Sequence, residues 1–172
     1  MSALLAYIWK NLPLNKTLQL KIMRLFHDSF LVAVSGVVLN ENGHILLFKH
    51  TYRQNAWGLP GGYIKAREHP QEALEREIEE ESGLIISIDE RLKIRTDRQE
   101  ARLEICYLGY FLGGQFVPSA EVSDCGFFSL DTLPLMPKNQ LMMIKLGLKK
   151  HNAEKLENVP SFTSSLRRYF SP

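Results

Sequence analysis

Cysteine is nearly absent. Cys106 and Cys125 are the only two among 172 residues, which excludes a disulfide framework and a C-x-x-C metal clip. Each sits in an apolar or strand-like stretch, so both read as buried, inert thiols, and a reduced, cytoplasmic setting is expected. Long apolar runs are missing too: no stretch approaches the roughly 18 residues a spanning helix needs, so no stable membrane insertion is expected. The opening M-S-A-L-L-A-Y-I-W-K is apolar but carries no basic n-region and no small-residue cleavage site, which argues against a signal peptide. Charge of one sign is also lacking. The net +2, from 21 Lys plus Arg against 19 Asp plus Glu, is too slight to expect nucleic-acid or membrane binding on electrostatics alone. There is no internal repeat and no low-complexity tract. What remains, 45% apolar and 23% charged residues, suits one soluble domain able to bury roughly 70% of its unfolded surface.

Residues 1 to about 29 read as a helical extension in two pieces, broken at Leu12-Pro13. The second piece sets Leu14, Leu18, Ile22, Leu25 and Phe26 at helical spacing, away from Lys16, Lys21 and Arg24. Such a stripe packs on the domain's own core or on a sister subunit, as in a homodimer. A membrane surface is the alternative reading. Leu31–Leu39 and His44–Lys49 read as strands joined by the turn Asn40-Glu41-Asn42-Gly43. W-G-L-P-G-G at 57–62 suits a tight, shaped loop. A helix follows, with Pro70 in its first turn and Gly83 just past its end. Leu84–Asp89, Arg91–Thr96, Arg102–Leu112 and Cys125–Leu130 read as further strands, and Lys138–Lys150 as a last helix. The tail after Asn152 is polar, with Phe162, Leu166 and Phe170 as anchors. Strands with few helices suggest α+β or an α/β/α sandwich, because both faces of a sheet need cover. The division expected is an extension at 1–29, one domain at 30–150 and a tail at 151–172.

The informative stretch is acidic. From Glu68 to Glu81, seven of fourteen residues are glutamates. At about 100° per residue, Glu77, Glu80 and Glu81 share an arc of roughly 100°. Leu74 and Ile78 border that arc on the side that would pack on a sheet, while Glu72, Glu75 and Glu79 point away toward solvent. Like charges at i,i+3 and i,i+4 destabilise a helix by about 0.2–0.5 kcal/mol per pair, and Arg76 alone is not expected to relieve three of them. A divalent cation would, and carboxylate oxygens suit Mg²⁺ or Mn²⁺.

From Gly62 to Leu84 the sequence reads G-Y-I-K-A-R-E-H-P-Q-E-A-L-E-R-E-I-E-E-E-S-G-L. It resembles the Nudix box, G-x5-E-x7-R-E-U-x-E-E-x-G-U with U aliphatic, at all nine specified positions: Gly62, Glu68, Arg76, Glu77, Ile78, Glu80, Glu81, Gly83 and Leu84. The resemblance spans residues 30 to about 150. It implies an α/β/α sandwich with a mixed sheet and a metal-dependent hydrolase of nucleoside diphosphates linked to another group, usually with Mg²⁺. It further implies that Glu80 and Glu81 ligate metal, that Glu77 is a ligand or the base, that the Gly61 carbonyl is a further ligand, and that Glu68 and Arg76 orient the glutamates. Glu121 is the candidate for a base on a later loop. Lys49 and Arg53, with His50 between them, are candidates for phosphate contacts, and Tyr63, Tyr52 or Phe116 for base stacking. Trp57 is expected to brace the loop.

Marks of particular substrates are mostly missing. The NADH-type S-Q-P-W-P-F array is absent, as is any coenzyme A signature before the box. The proline of ADP-ribose enzymes would fall near Gln99, and the tyrosine of dinucleoside polyphosphate enzymes near Glu100 or Ala101; neither is there. Three readings follow for a small nucleotide-type ligand. The first is cleavage of a nucleoside diphosphate linked to another moiety. The alternatives are a nucleoside triphosphate pyrophosphohydrolase, as in nucleotide-pool sanitation, and a non-catalytic sensor. Sensors tend to lose box glutamates, and none is lost here.

Overall fold

The computed structural model describes residues 15–26, 29–52, 57–97 and 99–157. The chain divides into two compact units, Met1–Phe30 and Leu31–Pro172. In the first, helix α1 (Lys16–Phe26) begins at Asn15, whose side-chain Oδ1 accepts the Leu18 N–H at 2.9 Å, the usual way an orphan donor of the first turn is satisfied. The first helical piece expected before Pro13, the Phe26 side chain and the anchors at 162, 166 and 170 lie outside the described residues.

The second unit is a mixed sheet with a helix against each face. Its strands are β1 (Leu31–Leu39), β2 (Ile45–His50), β3 (Trp57–Gly58), β4 (Gly61–Tyr63), β5 (Leu84–Asp97), β6 (Arg102–Gly114) and β7 (Val122–Phe128); its helices are α2 (Pro70–Ser82) and α3 (Lys138–Glu157). The main path runs β3-β2-β1-β6-β5, with β4 on β1 and β7 on β2. Among the described residues only β1 and β6 pair in parallel; the other ladders are antiparallel.

The alternation along β1 divides the core. Val34 and Val38 join Leu46, Phe48, Ile105 and Tyr107 under Ala73, Leu74 and Ile78 of α2. Val37 and Leu39 join Ile45, Leu47, Cys106 and Leu108 under Met143 and Ile144 of α3. A period of two on strands buried on both faces gives this division directly. It realises the expected α/β/α sandwich. Burial pushes the Cys106 thiol up to about 11, consistent with an inert core cysteine.

Three expectations need correction. The segments at 84–89 and 91–96 are one strand, β5, because irregularities at Ile85/Ile86, Ile88/Glu90 and Arg91/Lys93 absorb extra residues without ending the ladder. The 57–62 loop is partly sheet, as Trp57–Gly58 pairs with β2 and Gly61–Tyr63 with β1. The last helix runs on to Glu157 rather than stopping at Lys150. Among the described residues no helix is long and apolar enough to cross a membrane.

Candidate active site

The glycine segment is stitched to the sheet. Strand β1 pairs β2 only at its end, Leu39 with Ile45, and pairs β4 through Ala33–Tyr63, Val34–Gly62 and Ser35–Gly61. Bonds from Gly36 N–H to Pro60 O at 3.0 Å and from Ile64 N–H to Val32 O at 3.1 Å continue the attachment on either side. A Cβ on Gly61 would strike the Val34 carbonyl, and one on Gly62 would overlap the Glu77 carboxyl. The two glycines therefore admit, respectively, the strand and the helix side chain.

Helix α2 starts where Pro70 occupies its first turn, with the His69 N–H donating to Glu72 Oε2 at 2.9 Å. It ends at Gly83, whose left-handed φ of 71° turns the chain into β5 and whose N–H reaches Glu79 O at 2.8 Å. Leu74 and Ile78 fix the buried face, which sets the rotation of the acidic arc. Glu75, expected to face solvent, instead accepts the Ile88 N–H of β5 at 3.1 Å.

Arg76 is the hub of the site. Its Nε and Nη2 donate to the two oxygens of Glu68 at 2.6 and 3.0 Å. Its Nη1 reaches Glu77 Oε1 at 2.8 Å and Glu80 Oε2 at 2.9 Å, and Nη2 also reaches the Tyr63 carbonyl at 3.2 Å. Lys65 adds its ammonium, 3.3 Å from Glu80 Oε2, and its backbone N–H, 3.0 Å from Glu68 Oε2. The Arg76 bonds, helped by the Lys65 N–H, hold the Glu68 carboxyl down at about 2. Arg76 likewise lowers Glu80, and Glu68 above all raises Arg76. The repulsion anticipated between glutamates is thus relieved internally more than the helical wheel suggested, because a planar guanidinium offers five donors in a fork.

Glu81 is 8% exposed, and it lines a cavity of about 670 Å³ together with Glu77, Gly61, Gly62 and Glu121. Glu80 is more open, its side chain 53% exposed. Among the described residues no three acidic, histidine or cysteine side chains converge on one point, since Glu77 and Glu80 are both turned onto Arg76. The donor set still suits a hard divalent cation. It comprises the carboxylates of Glu77, Glu80 and Glu81 on one helical arc together with the carbonyl of Gly61, and the Glu77 carboxyl lies in the space that Gly62 leaves by having no Cβ.

Of the candidates for substrate contact, Tyr63 and Tyr52 line the cavity. Lys49 does not line it. It is exposed on β2 opposite Trp57 and Asp124, while the neighbouring His50 is buried. Arg53 lies outside the described residues. Trp57 packs edge-on against Phe128 with ring centroids 5.0 Å apart, bracing β3 as expected. Glu121 is held near the end of β2, where the Thr51 N–H donates to its carbonyl at 3.0 Å. Sequence reasoning missed the cavity's sheet wall of Ser35, Arg95, Arg102 and Glu104.

Known proteins resemble this arrangement. The NUDIX domain family matches residues 29–146. An ADP-ribose pyrophosphatase of Methanocaldococcus jannaschii is 31% identical over 120 residues, 66% of this chain and 70% of that one. An RNA pyrophosphohydrolase of a Marinomonas species is 46% identical over 57 residues, only 33% of this chain and 35% of its own length. Among solved structures, an ADP-ribose pyrophosphatase of Streptococcus suis superposes with a TM-score of 0.62 at 27% identity, covering 72% of this chain and 92% of that one. A Nitrosomonas europaea NUDIX hydrolase superposes at 0.66 and 19% identity, covering 74% of each, a likeness of fold. With the match running from before β1 into α3 and the box complete around Arg76, the chain belongs to the Nudix family of enzymes that hydrolyse phosphoanhydride bonds.

Proposed function

We propose that this protein cleaves the P–O–P bridge of a nucleoside diphosphate linked to a second moiety, with Mg²⁺ or Mn²⁺, in the cytoplasm. The observation that carries the reading is the placement of Glu77, Glu81 and Glu121 on the wall of a 670 Å³ cavity. That cavity is larger than phosphates alone require and lies in the range of pockets that hold whole small molecules. The names of the Methanocaldococcus and Streptococcus relatives favour an ADP-ribose-like substrate.

Glu77, Glu80, Glu81 and the Gly61 carbonyl would hold the cation. When bound, it supplies positive charge to the phosphates and acidity to a bound water. Arg76 holds Glu77 and Glu80, and Glu68 holds Arg76; to share a cation with Glu81, the two carboxylates would turn part of the way from the guanidinium, which keeps them within reach. Glu121, or a glutamate of the box, accepts the proton of the attacking water as its oxygen bonds to phosphorus. The bridging P–O bond breaks, and the departing phosphate keeps the electron pair.

The test is product analysis with metal and without. Hydrolysis of ADP-ribose to two monophosphates, abolished by chelation and cut at least about 100-fold in Glu80→Gln with an unchanged circular dichroism spectrum, is the expected result. Release of inorganic pyrophosphate from nucleoside triphosphates alone would favour the triphosphate reading. Near-normal turnover in Glu80→Gln would refute the assignment of the box.

A further inference from the structure

The cavity has a second wall. On the sheet face that α3 covers farther along, β1, β6 and β5 set Ala33, Glu104 and Arg95 in register. Glu104 Oε1 accepts the Ser35 hydroxyl at 2.9 Å, and Glu104 Oε2 lies 2.6 Å from Arg95 Nε. Arg102, two residues along, is paired with Glu100 at 3.2 Å and Asp97 at 3.5 Å. Ser35, Arg95, Glu100, Arg102 and Glu104 all line the cavity together with Tyr63.

This wall is charged in its parts and balanced as a whole. With the charges of Arg95 and Arg102 matched by those of Glu104 and Glu100, the wall offers no net attraction to further phosphates. It is equally unsuited to an apolar chain, which would strip water from these charges. It suits a polar, uncharged group. Of its two carboxylates, the Glu100 side chain is 64% exposed and Glu104 is the more enclosed acceptor. A carboxylate offers about four acceptor positions; the Ser35 hydroxyl engages one on Oε1, and Oε2 is ion-paired with Arg95. The side chain keeps 20% of its surface exposed, on the cavity side.

We propose that Glu104 is a specificity-determining residue: held by Arg95 and Ser35, it accepts two adjacent N–H or O–H donors from the non-phosphate part of the substrate. Two groups carry such a pair, the vicinal diol of a ribose and the N1–H/N2–H edge of a guanine. The inference rests on the hydrolase reading above, since it assigns the phosphates to the opposite wall.

Equilibrium binding separates the two ideas. Calorimetry with α,β-methylene-ADP, its 2′-deoxy counterpart and α,β-methylene-GDP requires no turnover. Glu104→Gln keeps the shape but turns one acceptor into a donor, and should weaken binding about 10- to 100-fold. If the diol sits on Glu104, the wild type favours ribo over deoxy and the variant loses that preference. If the guanine edge does, the lost preference is GDP over ADP. Should Glu104→Gln fold poorly, Ser35→Ala leaves the ion pair intact and should erode the same preference about 3-fold. Wild-type affinity and preferences in a folded Glu104→Gln, or a wild type that binds with neither preference, would overturn the assignment. Failure of the hydrolase reading would look different: binding with its preferences intact, and no cleavage of any ADP-linked compound.

Discussion

Gly62 and Glu77 share one volume. The missing side chain of the first is where the carboxyl of the second lies. The contact joins β4 to the middle of α2, and it puts a family-defining glycine and a family-defining acid in direct dependence on each other.

Gly62→Ala should therefore separate stability from activity. The Glu77 side chain can swing aside, so unfolding free energy should fall by no more than about 1 kcal/mol, while turnover drops about 10- to 100-fold if the moved carboxylate holds the cation as proposed. Gly61→Ala is the control, since its Cβ meets the backbone of Val34 and Ser35. It should lower the melting temperature much more. Equal stability loss in the two variants would refute the distinction.

Glu68 predicts a pH dependence. Its carboxyl sits near 2 in the folded protein against an ordinary 4.5, so the folded state binds fewer protons between those values. Its contribution to stability is complete above about pH 4.5 and is lost as pH falls toward 2. Melting temperatures across pH 2–6 should show a steeper acid decline in the wild type than in Glu68→Gln. Parallel curves would mean that the Arg76 pairing contributes nothing.

Glu75 gives a third test. Without its carboxylate, the Ile88 N–H at the β5 irregularity loses its side-chain partner. Glu75→Ala should cost about 1–2 kcal/mol in urea unfolding, with kcat little affected, because Glu75 is not among the cavity-lining residues. A loss of kcat at full stability would place Glu75 in the chemistry instead.

The sequence reveals what is local. The nine box residues lie on one continuous run from β4 through α2 to the first residue of β5, where a 3.6-residue period and fixed spacings determine which side chains meet. Gly83 and Pro70 bound α2 for the same reason. Glu75 eluded that logic, as the wheel says which way it points but not that a strand irregularity brings a backbone donor there. The sheet wall eluded it for a stronger reason. Ser35 and Glu104 are 69 residues apart and meet only through the parallel pairing of β1 with β6, a register that no local pattern encodes. Lys49 shows the converse, since its nearness to the glycine loop in sequence does not bring it into the cavity.

The fork of Arg76 has one more consequence. A protein that carries its own counterion need not wait for a metal in order to fold, unlike a zinc finger, where the ion is the core. Chelation should silence this chain and leave its architecture standing. On the reading proposed above, the ion can be taken up late, released and taken up again, with the scaffold indifferent to each exchange.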